Sequence, residues 1–134
     1  MKYITIIASV FLMLAGVSFA NGVSDIEVIV SPGSNASVTA TAQGVNGWVN
    51  SVAIDTASGS SGNVTVAIQP SQTTMDSRTI VVTNDVAADL WLDPSDGASR
   101  RYAVTDMDKF SVTARNLTVA AKTYRVVIRV ESAK

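Results

Sequence analysis

Aspartates are the first residues in this chain whose type and spacing could do chemistry. Asp89, Asp93 and Asp96 fall within DLWLDPSDG (89–97), and Asp106 and Asp108 within TDMDK (105–109). Carboxylates grouped in this way can ligate calcium or act as the acid and base of a hydrolase. Between the two groups runs RRYAVT (100–105), a strand pattern, and a strand of that length sets its ends roughly 17–20 Å apart. The two groups therefore do not share one site. Within the first, placing Gly97 at the sixth position of a calcium loop puts Leu92 and Pro94 where ligands belong, so the EF-hand spacing fails. Asp93 and Asp96 stay as weak calcium candidates. Beside Pro and Gly, their expected work is turn formation through hydrogen bonds to their own backbone.

The chain has neither histidine nor cysteine. This removes the usual general base, the usual zinc ligand, the thiol nucleophile and any disulfide framework together. A serine nucleophile would need lysine as its base, and no S-x-x-K run occurs. No catalytic residue, cofactor or metal is expected, and the chain reads as a protein without enzymatic activity. Aromatic residues offer a different chemistry, since an exposed Trp-Tyr platform holds glycans by stacking. Phe110 and Tyr124 fall on core faces of their strands, which leaves Trp48, Trp91 and Tyr102 for a platform or an interface. N-x-S/T sequons stand at Asn35, Asn63 and Asn116 and matter only in a host that glycosylates.

The elements that must position these residues follow from the apolar pattern. Residues 1–20, MKYITIIASVFLMLAGVSFA, combine one positive charge, an apolar run and small residues at Ser18 and Ala20, the pattern of a signal peptide cut after Ala20. The run is short of the roughly 18–20 apolar residues a spanning helix needs, so membrane contact is expected only if this hydrophobic helix is retained. Residues 21–134 form a single domain. Loss of Lys2 takes the formal charge from −1 to about −2, which gives no footprint for nucleic acid or anionic lipid.

Short runs rich in Val, Ile and Thr then recur between Gly, Ser, Asn, Asp and Pro clusters. Strands are predicted near 26–31, 37–42, 48–55, 63–69, 78–84, 88–93, 100–105, 109–115 and 123–131. The fold class is all-β, an antiparallel two-sheet sandwich of jelly-roll or immunoglobulin-like type. In the last strand Tyr124, Val126, Ile128 and Val130 share one face and Arg125, Val127, Arg129 and Glu131 the other, so one face is core and one wet. Leu90, Trp91 and Leu92 break that rule. With both leucines on one face, Trp91 falls on the other, where it meets a second covered face or a subunit. The strand IEVIVS (26–31) pairs within its own domain or is donated to a neighbour's sheet, which makes Ile26, Val28 and Val30 interface candidates beside Trp91, Trp48 and Tyr102.

The block from NSVAIDTASGSSGNVTVAI (50–68) through DKFSVTARNLTVAAKTYRVVIRVES (108–132) resembles small all-β virion-associated proteins of tailed bacteriophages. The shared features are a strand, a Gly/Ser hairpin and a strand, then a Lys-Phe strand, a small-residue turn and a long closing strand. The resemblance implies a capsid-decoration or fibre role without catalytic residues. Two functions are compatible with these readings. One is a non-catalytic structural or assembly protein of a cell or virion surface, whose partners are protein subunits met through sheet faces or edges. The other is a secreted glycan- or calcium-dependent binding module. Either is exported, to an extracellular, periplasmic or virion surface.

Overall fold

The computed structural model describes residues 18–20, 22–56, 62–72, 74–83, 90–92, 94 and 101–132. Its strands are β1 (Ser18–Ala20), β2 (Val23–Val30), β3 (Ser37–Gln43), β4 (Gly47–Thr56), β5 (Gly62–Gln69), β6 (Arg78–Thr83), β7 (Leu90–Leu92), β8 (Ala103–Val104), β9 (Lys109–Asn116) and β10 (Tyr124–Glu131). The expected hydrophobic helix falls on residues 1–17, outside the described residues. The end of that segment is strand, with Ser18, Phe19 and Ala20 paired to Asp25, Ser24 and Val23.

All strand pairs are antiparallel. One sheet runs β1-β2-β10-β4-β7 with β8 also on β4, and the other runs β3-β9-β5-β6. The chain behaves as one long hairpin rolled into two layers. Its nested arms pair β2 with β10, β3 with β9, β4 with β7 and β8, and β5 with β6. Rolling adds the β10–β4 and β5–β9 ladders. That nesting is the jelly roll, and it decides between the two sandwich types the sequence allows.

Alternation along each strand builds the core, because successive side chains point to opposite faces. β2 and β5 alternate strictly between buried and half-buried residues. The largest side chains enclosed between the sheets are Tyr124, Phe110, Ile26, Ile54, Ile68 and Ile128. Gly62 is required where β5 begins. A Cβ there would lie 2.3 Å from the Arg115 carbonyl oxygen and 2.3 Å from the Tyr124 hydroxyl. Asn116 closes the far end of β9 and is fully buried. Its amide nitrogen donates to the carbonyls of Gly33 (3.0 Å) and Ala120 (2.6 Å), and its oxygen accepts from the Thr118 N–H (2.9 Å) and hydroxyl (2.7 Å). One side chain thus ties the β2–β3 loop to the β9–β10 loop, and the asparagine of that sequon is inside the fold.

One irregularity redirects a strand face. The β10–β4 register shifts between Arg129, opposite Ser51, and Val130, opposite Val49, so Asn50 is an extra residue in β4. A bulge of this kind resets the alternation. Val49, Val52 and Ile54 all enter the core, and Trp48 emerges on the outer face beside Ser51 and Ala53.

Candidate functional site

The predicted interface strand turns inward. Ile26, Val28 and Val30 are 1%, 5% and 1% exposed and lie in the domain's own core, the in-domain pairing that the sequence also allows. The reason is pairing, since β2 lies hydrogen-bonded along β10 with Val28 opposite Val126. Trp48 is 46% exposed. Tyr102 is half-buried and packs against the core. Because Ala103 pairs with Trp48 and shares its face, the preceding Tyr102 falls on the opposite one, and no Trp48–Tyr102 platform forms. Trp91 pairs with Ala53 of the outer face, while Leu90 and Leu92 pair with Ile54 and Val52 of the core. That register agrees with the separation of Leu90 and Leu92 from Trp91 read from the sequence. The Trp91 side chain lies outside the described residues, as do Asp89, Asp93 and Asp96.

Asp108 is a turn-maker, with its carboxylate accepting from the N–H groups of Thr105 (2.9 Å) and Ser71 (3.3 Å). It secures the end of the sandwich where the β3–β4, β5–β6 and β8–β9 connections converge. Between them is a cleft of about 490 Å³ lined by Pro70, Met75, Arg78, Ala103, Asp106 and Met107 among others. Its polar groups serve the loops themselves. Arg78 donates to the Ala103 carbonyl (2.8 Å), and the Asn46 side-chain oxygen accepts from the Asp106 N–H (3.1 Å). Among the described residues, no group of three or more acidic side chains is placed to hold a metal.

The outer face of the β2–β10 ladder is laced with ion pairs. Arg129 grips Asp25 through two bonds of 2.8 and 2.9 Å, Arg125 meets Glu27 at 2.8 Å, and Arg101 pairs with Glu131. The Arg129 hydrogen bond, with its charge, holds the Asp25 carboxyl below the usual carboxylate range against the opposing pull of burial.

The outer face of the second sheet is different in kind. Thr39, Thr113, Thr65 and Val82 form one cross-strand row, with the Thr39 and Thr113 hydroxyls 2.7 Å apart. Its charges are Lys109 and Arg115 at the two ends of β9.

Sheet edges expose unpaired N–H and C=O groups, and proteins guard them with short strands, charges, proline or bulges. Three of these edges carry such guards. β2 bears Asp25 and Glu27, both held in ion pairs. β7 and β8 have only three and two residues. β6 begins at Arg78 and pairs with β5 through a register shift between Val66 and Ala67.

The fourth edge, β3, is SVTATAQ, seven residues in unbroken register with β9 from Ser37–Arg115 to Gln43–Lys109. It has no charge, no proline and no bulge. Sequence reasoning passed over it because its apolar content is low. The signal was the absence of every guard residue from a regular strand.

No family model matches the chain, and no curated protein sequence matches it. Solved structures do resemble it. The Yersinia pseudotuberculosis-derived mitogen matches with a TM-score of 0.50 at 10% identity, over 82% of this chain and 88% of that one. PliG of Aeromonas hydrophila, a periplasmic inhibitor of g-type lysozyme, gives 0.45 at 14% identity over 84% and 92%. A mutant family 29 carbohydrate-binding module gives 0.39 at 12% identity over 87% and 74%. The likeness to the mitogen is one of fold, and the chain shares with it a two-sheet β architecture.

Proposed function

We propose that this chain is a non-catalytic assembly protein of a cell or virion surface, exported with loss of residues 1–20 and joined to neighbouring subunits through sheet-edge contacts. The observation that carries the reading is the unguarded β3 edge, beside three edges that are guarded. A long, regular, neutral edge is a template for another strand, and backbone bonding across it needs no special side chain. The resemblance to virion-associated proteins gives one such surface. The absence of histidine and cysteine removes the catalytic pairs built on an imidazole or a thiol. A glycan-binding module built on a Trp48–Tyr102 platform has less support, because the two residues take opposite faces.

The test is size-exclusion chromatography with light scattering on the protein recovered from exporting cells, over a wide concentration range, together with affinity capture from the same cells. Assembly that grows with concentration, or a stoichiometric partner, is expected. A strict monomer that captures nothing at the highest concentration would overturn the reading.

A further inference from the structure

We propose that the occupant of the β3 edge is the β3 strand of a second copy, paired antiparallel about a twofold axis at Ala40. The inference rests on the assembly reading and names its partner.

The argument begins with which backbone groups face outward. At the two ends of the β3–β9 ladder, Gly44 N–H donates to the Asp108 carbonyl (2.8 Å) and Asn116 N–H to the Ala36 carbonyl (2.9 Å). In an antiparallel strand each residue directs both backbone groups to the same side, and the side alternates. The even-numbered residues Val38, Ala40 and Ala42 therefore bond to β9. Ser37, Thr39, Thr41 and Gln43 turn their N–H and C=O groups to the open edge. Among the described residues no strand pairs along that edge.

A twofold axis at Ala40 sets Ser37 opposite Gln43, Val38 opposite Ala42, and Thr39 opposite Thr41 of the second copy. Every outward-facing residue then falls in a hydrogen-bonded pair, and each such pair exchanges both of its bonds. The side chains match as well. On the outer face hydroxyl meets hydroxyl, extending the Thr39–Thr113 row across the junction, and on the inner face small apolar residues meet one another. No like charges come together. Lys109 of one copy and Arg115 of the other stand three strand spacings apart, roughly 14 Å, which is beyond the screening length at physiological salt.

The arrangement also closes. Joining the four-stranded sheets at β3 gives the order β6-β5-β9-β3-β3-β9-β5-β6, and both outer strands are the guarded β6. An isologous contact that consumes the template on each copy stops at a dimer.

Ala40 sits on the axis in a non-hydrogen-bonded pair, where Cα atoms approach to about 4.5 Å, within disulfide range. The chain has no cysteine, so Ala40→Cys introduces the sole thiol. Under mild oxidation this variant should become a covalent dimer, whereas Val82→Cys, 63% exposed on β6, should form no cross-link within the dimer. The Thr41 N–H lies on the open side, so Thr41→Pro leaves the β9 ladder intact while removing a donor from the dimer. It should retain the wild-type circular dichroism spectrum and lose dimerisation. Thr41→Val keeps the N–H and should keep the dimer.

A wild-type protein that assembles, with Thr41→Pro assembling equally well and Ala40→Cys failing to cross-link, would overturn the β3 pairing and leave the assembly reading standing. A different protein captured by the wild type and lost from Thr41→Pro would assign the edge to that protein and overturn self-pairing. A wild type that neither dimerises nor captures a partner would remove both. If Thr41→Pro does not fold, the thiol variants decide alone.

Discussion

Asn116 is a residue whose importance is invisible in its local sequence. N-L-T reads as a sequon on a strand end, yet the side chain holds two carbonyls and two donors of loops that meet only in the fold. Asn116→Ala strands those groups in a buried site and should cost about 2–3 kcal/mol of stability in a denaturant titration. A loss no larger than that of an exposed substitution would contradict the clamp. Asp108 is half legible by contrast, because its bond from the Thr105 N–H is local while its bond from the Ser71 N–H comes from a distant loop. Asp25 sets a pH dependence. Its carboxyl is held below its ordinary value by Arg129, so the unfolded state binds the proton first. The stabilisation is full above that ordinary value and disappears as pH falls through the lower, folded one. Melting temperatures of wild type and Asp25→Asn should therefore converge in strong acid and separate, with wild type higher, near neutrality. A difference independent of pH would refute the sign.

Among the elements, strands were legible wherever alternation was strict. The predicted 63–69 and 109–115 correspond to β5 (Gly62–Gln69) and β9 (Lys109–Asn116), while the described residues of 100–105 hold only the short β8 (Ala103–Val104). The bulge in β4 left a trace that alternation alone could not interpret, since Val49 and Val52 both enter the core although three positions apart. A helix would produce the same spacing. Deleting Asn50 takes out the extra residue and leaves Val49, Val52 and Ile54 inward with Trp48, Ser51 and Ala53 outward, so the domain should keep its fold in a thermal melt. Trp48→Ala should change stability by less than about 1 kcal/mol, because that side chain is already half in water. Collapse of the fold on deletion of Asn50 would contradict its place as the extra residue.

At the scale of the whole molecule, the sequence narrowed the fold to a two-layer sandwich but could not choose its winding. The choice lies in pairings such as Val30 with Tyr124, which no local pattern encodes. One consequence of this winding concerns the order in which the chain becomes available. β2 and β4 do not pair with each other; each pairs with β10, which lies between them. The first sheet therefore has no centre until residues 124–131 have been made. Its earlier strands wait without their shared partner, open to proteases, although β3, β5, β6 and β9 of the second sheet are already present. Chains stopped before Tyr124 should be degraded rapidly under limited proteolysis, and the protein should acquire resistance in a single late step once its final strand emerges. A protected fragment lacking β10 would contradict this order.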